Sequence, residues 1–135
     1  MKSLQKQNGI GMINLIIIIM IVAFLANFAI KIVPMYVDNR MVITGLKSLA
    51  EPGNNLNQMS DAEIKKKMFN FFLINNVASE DAKKIVIEHK ADSLIIKSDY
   101  ETRANLFANI DLVMSFRNHL DSTRPTECCK PLDEK

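Results

Sequence analysis

Tryptophan is missing from all 135 residues, and there are only two tyrosines. A broad aromatic surface for stacking bases or sugars is thereby excluded. Cysteine is nearly missing too: Cys128 and Cys129 stand side by side in a polar tail. Sequence neighbours cannot staple distant parts of a domain, and a vicinal disulfide is strained and rare. Two free or intermolecularly paired thiols are therefore expected. A zinc site would need further ligands at usable spacing, and none accompany the pair. With four glycines in the whole chain, no phosphate-cradling glycine loop can be built. Acidic residues are absent before position 30, and all 15 follow it. Of the 17 basic residues, Lys2 and Lys6 lie in that early stretch, which leaves 15 against 15 beyond it. The formal +2 belongs to the N-terminus. The balanced remainder lacks the electrostatic footprint of a nucleic-acid binder.

What the N-terminus does hold is a long apolar run. From Met12 to Ile30 no residue is charged, and the only polar side chains are Asn14 and Asn27. Ile10 to Ile30 makes a helix of about 31 Å, which matches a bilayer core. A cleaved secretory signal fits poorly, because the run is too long and no A-x-A pattern follows it. Lys2, Lys6 and the α-amino group precede the run without an acid to offset them. That bias puts the N-terminus in the cytoplasm and the remainder outside, which in a bacterium with two membranes means the periplasm. Leaving Asn14 and Asn27 at the two interfaces needs no partner. Helix–helix contact with another membrane protein is their functional alternative.

The glycines before the run raise another possibility. "GIGMINLIIIIMIVAFLA" resembles the start of a type IV pilin after its basic leader. Gly9 would be the processing site, and the mature chain would begin at Ile10. Asn14 stands where that family has a glutamate that pairs with a neighbouring subunit's N-terminus. An uncleaved anchor is the leading expectation, and a pilin-like or pseudopilin-like assembly subunit the alternative.

Beyond the run, Pro34 is expected to end or kink the helix. Met35, Val42, Leu46 and Leu49 then recur at helical spacing. "EPGNN", Glu51 to Asn55, is a stop. "SDAE", Ser60 to Glu63, is a capping box for a second helix reaching about Leu73, with Ile64, Met68, Phe71 and Phe72 as its buried stripe. Lys65, Lys66 and Lys67 read as its solvated side, and Asn75-Asn76 as its end. After "ASEDAKK" the period changes to two. "IVIEHK", "SLIIKSDYET" and "IDLVMSF" are three strands, with turns at Ala91-Asp92 and at "LFAN", Leu106 to Asn109. The fold class is α+β: an N-terminal transmembrane helix, then two helices packed on a three-stranded antiparallel β-meander. The expected division is a cytoplasmic leader at 1–9, a span at 10–33, a periplasmic domain at 34–119 and a disordered polar tail at 120–135.

These residues carry a resemblance. "GIGMINLI", "KIVPMYVD" (Lys31 to Asp38), "INNV" (Ile74 to Val77) and "DYETRANLFANIDLVMSF" (Asp99 to Phe116) resemble the family DUF4845, small single-span inner-membrane proteins of Gram-negative bacteria. The resemblance covers residues 6 to 118. Members usually have proline and glycine where this chain has Asn105 and Ala108. The family carries no assigned activity. Its genes tend to sit beside those for signal peptidase I and ribonuclease III, which hints at an accessory of protein export.

No constellation in the sequence demands catalysis. His89 and His119 are far apart and read as surface residues. Asp99 and Glu101 share a strand face, and paired carboxylates there are usually solvated. The expected function is that of a non-enzymatic, single-pass inner-membrane protein without a cofactor. The bilayer is its first partner and another membrane protein, with signal peptidase I the named candidate, its second. Asn14 and Asn27 in the span, and Tyr100, Arg103 and Phe107 in the most family-like stretch, are the candidate contact residues. Plain core and turn structure is the competing reading of the last three.

Overall fold

A computed structural model describes residues 11–132. Its first element is a single α-helix, α1, Met12–Leu49, of 38 residues and about 57 Å. A 3-10 turn at Leu56–Gln58 leads to α2, Asp61–Ile74. Three strands follow: β1 Val86–His89, β2 Leu94–Phe107 and β3 Ile110–Asp121, paired antiparallel in the order β1-β2-β3. A last 3-10 turn spans Pro125–Glu127. The α+β class is as expected. The apolar part of α1 is long and apolar enough to cross a membrane, and its side chains are exposed throughout.

Pro34 lies inside α1 and does not end it. An internal proline deprives the helix of one hydrogen bond and costs about 3 kcal/mol. Packing outweighs that cost here. Met35, Asp38, Val42, Gly45, Leu46 and Leu49 form one buried stripe directly after the proline. The apolar run and the first helix of the domain are therefore one element. Helix α1 stops where "EPGNN" begins, with Ala50 as its C-cap.

Helix α2 starts on the capping box as expected. The Ser60 hydroxyl accepts from the Glu63 N–H, and the Glu63 carboxylate accepts from the Ser60 N–H. These hydrogen bonds from Ser60 hold the Glu63 carboxyl below its ordinary value. Ile64, Met68 and Phe72 are buried and Phe71 half-buried. Helix α2 closes on α1 at Gly45, where an added Cβ would meet Phe71 Cδ1 at 3.0 Å and Met68 Cε at 3.1 Å. The helix ends at Asn75, and Asn76 adopts a positive φ of 51°.

Leu94, Ile96, Ser98 and Tyr100 are buried on the sheet face turned to the helices. Tyr100 pairs across the ladder with Phe116, their ring centroids 5.4 Å apart. The hairpin is longer than expected. Strand β2 includes Leu106 and Phe107, and the turn narrows to Ala108-Asn109. The side chain of Asn105 closes that turn, donating to the Ala108 carbonyl at 2.8 Å and the Asp111 carboxylate at 2.9 Å. Ala108 sits at φ 47°, where a Cβ is unfavourable. Ala108→Gly is expected to stabilise the domain by about 0.5–1 kcal/mol, read as a higher denaturant midpoint at unchanged slope.

The tail is the main departure. Leu120 and Asp121 belong to β3 and are buried. Desolvation raises the Asp121 carboxyl, but hydrogen bonds from Thr123 and the nearby Arg124 outweigh it, so it lies below its ordinary value. Cys128 and Cys129 pack half-buried against the core. Their sulfurs lie against each other across a cis peptide. The pair is folded in against its own domain and does not hang in a free tail. His119 is corrected as well. It is 7% exposed, and its Nδ1 accepts from the Leu132 N–H at 2.9 Å. The proton therefore rests on Nε2, which donates to the Asp99 carboxylate at 2.9 Å. His89 is exposed and pairs with Asp61 at 2.8 Å.

Candidate functional site

Directly after the apolar run, α1 meets the β2–β3 hairpin. Lys31 is the first charged residue after the run. Its ammonium donates to the backbone carbonyls of Asn105 and Leu106, some 75 residues on in sequence. Just below this grip, Ala23, Phe24, Asn27 and Phe28 of α1 line a cavity of about 210 Å³ with Leu106 and Phe107. Just above it, Lys31, Pro34, Asp38, Tyr100 and Arg103 line a second cavity of about 400 Å³.

The seam continues upward through polar contacts. Asp38 Oδ2 accepts from the Ala78 N–H at 3.1 Å and the Ser79 N–H at 2.9 Å, tying the α2–β1 connection to α1. Next to it, Asn39 Oδ1 accepts from Asn118 Nδ2 at 2.8 Å and from the Tyr100 hydroxyl at 3.4 Å. Burial, and then the Asp38 charge, raise the Tyr100 hydroxyl well above its ordinary value, which keeps it protonated as a donor. The sign of the consequence is fixed. A raised folded value contributes stability that is full below the ordinary value of 10.0 and falls as pH rises beyond it. Tyr100→Phe is expected to flatten the alkaline loss of stability, measured by denaturant titration on both sides of that pH.

Of the candidate residues, four lie along this seam. Asn27 and Phe107 line the lower cavity, and Arg103 and Tyr100 the upper one. Tyr100 is also a core residue, and Phe107 is 73% exposed at the hairpin tip. Asn14 does not join them. It is exposed on α1, about 20 Å along the axis from Asn27. Gly9 lies outside the described residues. Sequence reading missed Lys31, Asp38, Asn39 and Asn118. One signal was available: Asp38 falls between Met35 and Val42 on the apolar stripe of α1, and a carboxylate in such a stripe asks for buried partners. Among the described residues, no group of three or more His, Cys, Asp or Glu is placed to hold a metal. What the arrangement does is mechanical. It joins the β2–β3 hairpin, the sheet and the α2–β1 connection to the part of α1 that follows the apolar run.

Comparison with curated proteins and with solved structures finds no match. Comparison with protein families does find one. The matched stretch begins at Lys31, which grips the hairpin, and ends at Phe116 on β3, narrower than the residues 6–118 of the resemblance. The family is the one described as a domain of unknown function, DUF4845, and this chain belongs to it.

Proposed function

We propose that this chain is a non-enzymatic, single-pass inner-membrane protein whose periplasmic domain binds or regulates another membrane protein. Signal peptidase I, or the export machinery around it, is the candidate partner. One observation carries the reading: α1 runs unbroken from the apolar run into the domain core. A domain on a flexible tether samples many orientations. A domain built on a continuous helix presents the same flank at the same height, which suits lateral contact with a neighbour in the same bilayer. Two short apolar stripes are free for such contact, Val33 and Val37 on α1 and Phe69 and Leu73 on α2. Each is one helical turn long. A photoreactive amino acid at Val37 or Leu73, irradiated in native membranes, tests this. An adduct containing signal peptidase I supports the named partner. Irradiation that yields no protein adduct at either position overturns the binding role.

The long helix with an exposed first half and a packed second half also favours a second reading, that of a pilin-like assembly subunit processed after Gly9. The intact mass of the protein from its own membranes separates the two. A chain beginning at Ile10, with one added methyl, supports processing. A chain beginning at Met1 supports the uncleaved anchor.

A further inference from the structure

We infer that the tip of the β2–β3 hairpin is a second membrane contact, inserted into the outer leaflet of the bilayer beside α1. The inference rests on the reading of α1 as a membrane span.

The tip is apolar and uncovered. Phe107 is 73% exposed and Ile110 62% exposed, facing each other across the Ala108-Asn109 turn. Side chains of this size are ordinarily withdrawn from water, and a paired exposure at a strand end marks a contact surface. The position of the tip says what it contacts. Leu106 and Phe107 share a cavity with Ala23, Phe24, Asn27 and Phe28, all within the uncharged run. Lys31 grips the hairpin from above, and Phe24 lies about 10 Å further along the axis toward the cytoplasmic end. The tip therefore hangs below the first charge of α1, at the level of the last two turns of the span. At that depth the surroundings are acyl chains and headgroups. An apolar element of a membrane-bound protein seats about 5–10 Å into that boundary.

The polar groups at the tip are arranged for this. Backbone groups in lipid must find partners within the protein. The Asn105 and Leu106 carbonyls accept from Lys31, and the Ala108 carbonyl accepts from the Asn105 side chain. The Asp111 carboxylate accepts from the same amide. Asp111 and the exposed Asn109 limit the depth to the interface and keep the tip out of the bilayer centre. Lys31 thus has a defined task. It joins the two membrane-facing elements, so that the domain stands on the helix and on the hairpin.

The absence of native tryptophan makes the test direct. Full-length single-tryptophan variants are reconstituted in phosphatidylcholine–phosphatidylglycerol vesicles, with and without lipids brominated in the upper acyl chain. Phe107→Trp reports the tip, Val22→Trp the span, and Val86→Trp, on the exposed edge of β1, the aqueous domain. Expected for Phe107→Trp is blue-shifted emission, loss of intensity in brominated vesicles and protection from aqueous iodide. Val22→Trp should behave likewise, and Val86→Trp should show the reverse. If Phe107→Trp is quenched by iodide and not by bromine while Val22→Trp is quenched by bromine, the inference is overturned and the span stands. If Phe107→Trp is shielded from both, a protein surface covers the tip and the lipid contact is overturned. If bromine quenches neither, the span reading fails and the inference with it. Ile110→Trp carries the same readout should Phe107→Trp fail to regain the native circular dichroism.

Discussion

Asp38→Ala is expected to destabilise the domain by about 2–4 kcal/mol, while Asp38→Asn is expected to lose less than half of that. The carboxylate is 9% exposed, and one of its oxygens serves both the Ala78 and the Ser79 N–H. Hydrogen bonds to a charged acceptor are worth about 1.5–3 kcal/mol each, and donors stranded in a buried site cost more than the mean neutral bond. Alanine is the better helix former by several tenths of a kcal/mol, which offsets little of the loss. Asparagine keeps an oxygen at the same place and gives up only the charge. Denaturation of the full chain in detergent micelles, followed by circular dichroism, measures both. A change below about 0.5 kcal/mol for Asp38→Ala, the range of ordinary surface substitutions, would show that the connection holds without its anchor. The loss matters beyond stability. A typical domain has about 5–15 kcal/mol in total, so Asp38 carries a large share of what fixes the α2–β1 connection to the packed half of α1.

The parts of this fold that were legible in the sequence are those set by neighbours three or four residues apart. The Ser60–Glu63 box, the stop at "EPGNN" and the buried stripe Ile64–Met68–Phe72 each need only local geometry. Alternation located the sheet-facing side of β2 from Leu94 to Tyr100. The illegible parts are those decided by partners far away. Pro34 reads as an end or a kink because its local cost is real, and only the packing of Met35 to Leu49 carries the helix on past it. Strand β3 reads as ending at Phe116 because Arg117, Asn118 and His119 interrupt the apolar alternation. Their partners are Asp99, Ser98 and Lys97 across the ladder, and Asn39 on α1. The grip of Lys31 on the hairpin has no local signature at all, since its partners lie more than 70 residues away. The same holds for the tail. A polar segment with two prolines reads as disorder, and the half-buried cysteine pair and the Leu132–His119 bond hold it in. The candidate site was legible in Asn27 and Phe107 by position, and hidden in Lys31, Asp38, Asn39 and Asn118, which assemble it.

Phe72→Ala and Leu73→Ala are expected to separate the fold from its surface. Phe72 is 1% exposed and belongs to the core with Ile64, Met68, Val42 and Leu46. Its ring packs edge-on to Phe71, centroids 6.4 Å apart, and Phe71 in turn lies over Gly45 of α1. Truncating a buried phenylalanine removes its transfer energy and leaves a cavity, together about 3–5 kcal/mol. The close approach at Gly45 leaves the two helices little room to collapse into that cavity, which places the expected loss toward the upper end. Leu73, the next residue, is 54% exposed, and its truncation should stay within about 0.5 kcal/mol. The pair then discriminates between two causes of lost partner contact. Phe72→Ala should weaken photocrosslinking from Val37 only in proportion to the unfolded fraction, and stabilising conditions should restore it. Leu73→Ala should leave the denaturant midpoint unchanged and still weaken the crosslink, because it trims the stripe that a neighbour would cover. If Leu73→Ala alters neither stability nor crosslinking, the α2 stripe is ordinary surface, and the contact belongs to the flank of α1 alone.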